Sequence, residues 1–166
     1  MDSTRWQPEE QRCSGCGYLW SISIDEAIGL VEGAADRYAH LLAEGVGPGS
    51  EDPARWSATG YLWHIVDVIR FGTERLWTLA LDPASGIPGW DQDALAAVRN
   101  YEKLSAAVGL RALRVSVRDW VQAANEAPRS ARVEHPVFGA LTTVDSIRRN
   151  AHEVHHPRAR HPALAR

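Results

Sequence analysis

The sequence predicts an all-α protein built as a four-helix bundle. Three observations predict it. Apolar residues recur at three- and four-residue steps through four long segments. Clusters of Gly and Pro separate those segments, and none carries convincing strand alternation. A length of 166 residues suits one domain with a sizeable core.

Residues 1–24 read as an irregular arm containing Pro8, Gly15 and Gly17. Asp25 opens the first helical pattern, in which Ile28, Val31, Ala35, Tyr38, Leu41 and Leu42 form the stripe. Asp25 and Glu26 suit the positive end of its dipole. Gly45-Val46-Gly47-Pro48-Gly49 breaks the pattern. Ser57 is a suitable N-cap for the second helix, with Trp56 placed as a hydrophobic staple. That helix is expected to reach Leu81. Leu62, Ile65, Val66, Ile69, Leu76 and Ala80 line one side, and Tyr61, His64, Val68 and Phe71 another. A helix apolar on two sides is normally central to its fold.

A loop follows from Asp82-Pro83 to Gly89-Trp90. The third pattern runs from Asp91 to about Glu126, with Gly109 as the expected bend and Pro128 as the stop. Residues 132–141 form either a small hairpin or a covering loop. Thr142 or Thr143 then caps a last helix through Val144, Ile147, Ala151 and Val154. The bundle is expected to occupy residues 25–157, and a basic tail residues 158–166.

Eighteen basic against 21 acidic residues give a formal charge of −3, which offers no broad basic surface for nucleic acid. No apolar run is long enough to cross a bilayer, and the N-terminus lacks the plan of a secretion signal. A cytoplasmic protein acting on a small molecule is the expectation, without a nucleic-acid or membrane partner. The apolar bundle faces also allow a homodimer.

Chemistry concentrates in His152-Glu153-Val154-His155-His156. Positions i and i+4 of a helix project side by side, so His152 and His156 can close on one ion. A second helix delivering His64 to the same place would complete a three-nitrogen set with open positions, as in catalytic metal sites. His155 is either a packed residue or a replacement for His156. The segment also matches H-E-x-x-H, but Ala159 and Pro162 stand where the extended metalloprotease pattern needs Gly and His. Pro157 disfavours helical geometry at His156, which puts the pairing under strain.

Trp56-Ser-Ala-Thr-Gly-Tyr-Leu-Trp-His64-Ile-Val-Asp67, followed by His152-Glu-Val-His-His156, resembles the DinB-like superfamily, as does Trp90-Asp91-Gln92-Asp93. That superfamily includes mycothiol-dependent maleylpyruvate isomerase N-terminal domains and bacillithiol transferases. The resemblance implies an up-down-down-up four-helix bundle holding a divalent metal on His64, His152 and His156. Zinc is the first expectation, with nickel or manganese as alternatives. It further implies a thiol S-transferase or isomerase that uses a mycothiol-type cosubstrate on a small electrophile. Asp67, one turn beyond His64, is then placed to orient an imidazole, and Glu153 to move a proton or support a ligand. Arg148 or Arg149 would receive a substrate or cofactor carboxylate. A hydrolase or lyase of a biosynthetic pathway and a non-catalytic dimeric scaffold are the rival readings, since fold does not fix chemistry.

Cys13-Ser-Gly-Cys16-Gly17 has the shape of a zinc knuckle, although no second cysteine pair exists. If the arm folds over the bundle mouth, Cys13 or Cys16 becomes an additional ligand or a nucleophile. Trp63 and Trp90 are either core anchors or walls of an apolar substrate pocket.

Overall fold

The computed structural model describes residues 12–43, 56–136 and 138–156. Pro8, the Gly45–Gly49 breaker, Pro157 and the basic tail lie outside them. Helix α1 (Ile24–Glu32) starts at Ser23, whose hydroxyl accepts the Glu26 N–H at 3.2 Å. The Glu26 carboxylate in turn accepts the Ser23 N–H at 2.8 Å, completing a capping box. Gly33 separates α1 from α2 (Ala34–Ala43), and Arg37 N–H bonds back to the Gly33 carbonyl at 3.2 Å. The first predicted helix is therefore an interrupted pair. Its apolar stripe runs through the break, and glycine is a weak helix former there.

Helix α3 (Ala58–Leu81) has the predicted limits. Ser57 Oγ accepts the Gly60 N–H at 3.0 Å, and the Trp56 ring packs on Tyr61 at 5.5 Å as the staple. The third predicted segment is corrected. It divides into α4 (Gln92–Arg99), a 3-10 turn over Tyr101–Lys103, and α5 (Ala106–Glu126). The break falls at Asn100, in the left-handed region with φ 52°, and Ser105 caps the new start. Gly109 lies inside α5, where a Cβ would meet Leu62 Cδ2 at 2.8 Å, so its role is close helix packing.

Residues 132–142 form a hairpin of β1 (Arg132–His135) and β2 (Gly139–Thr142), antiparallel, with His135 opposite Gly139. Thr142 then caps α6 (Thr143–His155) in a second capping box with Asp145. Buried Leu62, Ile65, Ile69 and Leu76 place α3 at the centre, against Leu113 and Trp120 of α5 and Ile147 of α6. Each such side chain contributes roughly 1.5–3 kcal/mol by leaving water.

The register of α6 against α3, which sets the site, is fixed by polar contact inside this core. Trp120 Nε1 donates to Asn150 Oδ1 at 3.0 Å, and the Asn150 carboxamide lies over Gly72 so closely that any Cβ there would collide with it. Gly72→Ala is expected to displace Asn150 and destabilise the protein by about 2 kcal/mol. Urea denaturation measures this; an unchanged midpoint would show that α6 is held elsewhere.

Candidate metal centre

The arm folds over the end of α6. Cys13 N–H donates to the Tyr18 carbonyl and Gly17 N–H to the Cys13 carbonyl, both at 2.8 Å, closing a tight turn around the two cysteines. Tyr18 Oη donates to the Arg148 carbonyl at 2.8 Å, and Arg148 Nε donates to the Ile22 carbonyl at 2.9 Å. These bonds lash the turn to α6 one helical turn before His152. A Cβ on Gly15 would lie 3.0 Å from His156 Cε1, so glycine is what lets the turn approach the ring.

Four side chains converge there. The ligand atoms of Cys13, Cys16, His152 and His156 all lie within 4.8 Å of one another. His152 Nε2 and His156 Nδ1 are 3.2 Å apart, and Cys13 Sγ is 3.7 Å from His156 Nδ1. With Zn–N near 2.0 Å and Zn–S near 2.3 Å, a tetrahedral site has N–N edges of about 3.3 Å and S–N edges of about 3.5 Å. The two separations match those edges, and a Cys2His2 set is a recognised zinc donor set, so these residues fit a zinc-class ion. His156 keeps helical dihedrals (φ −63°, ψ −37°), and its N–H bonds the His152 carbonyl at 2.7 Å. The pair is thus intact up to the residue before Pro157.

The thiols are electrostatically unequal. Burial pushes Cys13 up, but a hydrogen bond with His152 and bonds with the Gly15 and Cys16 backbone outweigh it and hold Cys13 below its ordinary value. Burial, with Cys13 beside it, pushes Cys16 up to about 11. Desolvation likewise opposes ionisation of Glu153. The neighbouring His152, His64 and Arg149 overcome it and bring Glu153 down to about 2. Glu153 Oε1 lies 3.8 Å from His152 Nδ1, on the opposite side of the ring from the cluster. That is where a carboxylate orients a metal-binding imidazole.

The other sequence candidates are distributed around this centre. His64 is buried on α3, its ring 5.0 Å from Trp56 and 6.1 Å from Trp90. It acts electrostatically on Glu153 but is not a member of the four-residue group. His155 packs beside Tyr18 with ring centroids 5.8 Å apart. Asp67, expected to orient an imidazole, is engaged elsewhere. Its Oδ2 accepts the Tyr101 hydroxyl at 2.6 Å, its Oδ1 pairs closely with Arg99, and Arg70 lies 3.7 Å away. Trp63 is a packing residue, its Nε1 donating to the Ser105 carbonyl at 3.3 Å and its ring facing Arg99. Trp90 stacks on Phe71 at 4.8 Å and faces His64. Arg148 is committed to Ile22, whereas the Arg149 guanidinium lies 3.4 Å over the Phe138 ring centroid.

Several contributors were not among the site residues the sequence pointed to. Trp20 covers His152 at 4.5 Å between centroids and also faces Arg149 at 5.9 Å. Arg75 and His135 approach from α3 and β1; burial, then Arg75 and Arg149, lower His135 to about 4. Among the described residues no helix is long and apolar enough to cross a membrane.

The chain matches the DinB superfamily over residues 2–158. No functionally curated protein matches it. It is similar in structure to YfiT from Bacillus subtilis, described as a probable metal-dependent hydrolase with an unusual four-helix bundle topology. The TM-score is 0.73 at 14% identity, over 93% of this chain and 89% of that one. At that identity the likeness establishes the bundle fold, while the family match spans both the arm and the helices. The chain belongs to the DinB superfamily.

Proposed function

We propose that this chain is a zinc-dependent DinB enzyme that transfers a low-molecular-weight thiol of the mycothiol type to a small electrophile, or isomerises the adduct. The supporting observation is the convergence of Cys13, Cys16, His152 and His156 within 4.8 Å. Two sulfur donors select a thiophilic ion such as zinc over manganese. When bound, such an ion would lower towards neutrality the pKa of a thiol or water that enters as a fifth ligand or displaces one of the four donors. The chain's own groups complete the site. Glu153, 3.8 Å from His152 Nδ1, is placed on the side of the ring from which a carboxylate orients a metal-binding imidazole. Trp20 shields the same ring from water. Arg149 and Arg75 supply positive potential to one side.

X-ray absorption on zinc-loaded protein tests the reading. Two sulfur and two nitrogen scatterers are expected, with a sulfur contribution that changes when mycothiol is added. Turnover of a model electrophile should require the thiol. The description of YfiT favours a second reading, metal-dependent hydrolysis. Thiol-independent cleavage of an ester or amide would select it, and protein that retains no divalent ion would leave the scaffold reading.

A further inference from the structure

Beside the metal centre lies a concentration of positive charge that holding an ion does not require. Arg149, on α6, has its guanidinium stacked on Phe138, and its Nη1 is buried with no hydrogen-bond partner among the described residues. Arg75, from α3, is half-buried and donates through Nη2 to the Pro88 carbonyl at 3.2 Å. His135, buried on β1, stacks on the other partner of Arg149, Phe138, at 4.5 Å.

Three carboxylates face this group. Glu153 acts on both guanidiniums, yet it also serves His152. Asp145 reaches Arg149, but its carboxylate is bound to the Thr142 N–H at 2.9 Å and hydroxyl at 2.6 Å in the capping box. Glu74 reaches Arg75 from an exposed position on α3. Burial brings Arg149 down to about 10, with Arg75 acting in the same direction and Glu153 and Asp145 opposing it. A planar guanidinium with a dry, unused donor is suited to a carboxylate, which it can take through two parallel bonds.

We propose that Arg149, assisted by Arg75, is a carboxylate-binding subsite, so that the small electrophile handled at the metal centre is an organic acid. Trp20 places it there, because the same indole faces the Arg149 guanidinium at 5.9 Å and the His152 ring at 4.5 Å. Phe138 and Trp20 give the carbon skeleton of the acid apolar walls. The assignment of this anion as substrate rests on the metalloenzyme reading, while the binding subsite itself does not.

Titration calorimetry on the purified full chain tests it, with succinate, benzoate and inorganic phosphate as separate probes and metal content measured on every sample. Saturable binding of at least one carboxylate is expected. Arg149→Gln should weaken it at least about tenfold, Arg149→Lys by less, and Arg118→Gln, a surface control, not at all. Metal content should be equal in all of these. Cys13→Ala, which lacks the ion, should still bind the carboxylate. Wild-type affinity in Arg149→Gln, absence of saturable binding, or phosphate binding tighter than both acids would overturn the subsite. So would loss of binding in Cys13→Ala, which would place the acid on the ion. Protein that binds the acid through Arg149 but holds no metal would instead overturn the metalloenzyme reading and leave the subsite standing.

Discussion

Alanine at Cys13, Cys16, His152 or His156 is expected to strip the chain of its ion, whereas alanine at His64 leaves metal content unchanged. Structural zinc sites are held by roughly 10–16 kcal/mol in total, so each of four donors carries about 3 kcal/mol, or about a hundredfold in affinity. Elemental analysis after gel filtration would read this as occupied against empty. The four variants should stay folded, because the bonds of Tyr18 to Arg148 and of Arg148 to Ile22 hold the arm without any ion. Circular dichroism checks that point. The outcome separates two donor sets. The DinB resemblance implies three imidazoles, His64 included, while the geometry joins the two α6 histidines to the arm's thiols. Metal lost from His64→Ala and kept by Cys13→Ala and Cys16→Ala would return the centre to the three-histidine set. The two sets have different chemical consequences. Three nitrogens leave a tetrahedral ion open, whereas two sulfurs with two nitrogens fill its shell.

The long elements were legible because their evidence is local. Ser57 with Trp56, the stripe from Leu62 to Ala80, and Thr142 ahead of Val144 and Ile147 each act within a few residues. The interruptions at Gly33 and Asn100 were not, because the apolar period continues across both and a single left-handed residue leaves it undisturbed. The candidate metal centre was half legible. The spacing of His152 and His156 marked one pair, and Cys13 and Cys16 were candidate ligands only on the condition that the arm folds over the bundle mouth. The two halves complete each other across 143 positions, a separation that no local pattern reports. The partners of Asp67 were hidden for a related reason. Arg99 and Tyr101 straddle the break at Asn100, whose position periodicity does not specify. Arg75 and His135 gave no signal, since an isolated arginine and a histidine in a short hairpin are ordinary until the fold brings them to Arg149.

Asp67→Ala is expected to destabilise the protein by about 3 kcal/mol while leaving metal content intact. Asp67 is buried on α3, only 3% of its side chain exposed, and it joins that helix to the α4–α5 connection through Arg99 and Tyr101. Burial and the bond to Asp67 push Tyr101 well above the ordinary phenol value, so the hydroxyl stays a donor throughout the working pH range. Removing the carboxylate strands a guanidinium and a buried phenol together. Losing one partner of a buried charged pair costs roughly 3–5 kcal/mol. The lower end applies because the Arg99 side chain, 29% exposed, can turn partly to water. For a chain of this size the loss corresponds to a fall in Tm of about 10 °C. Asp67→Asn should lose less, since the amide oxygen still accepts from Tyr101. In a double-mutant cycle, adding Arg99→Met should recover part of the loss, because the stranded charge then disappears. A variant of normal Tm that has lost its metal would reverse this reading, placing Asp67 behind an imidazole ligand instead of at the joint between α3 and the α4–α5 connection.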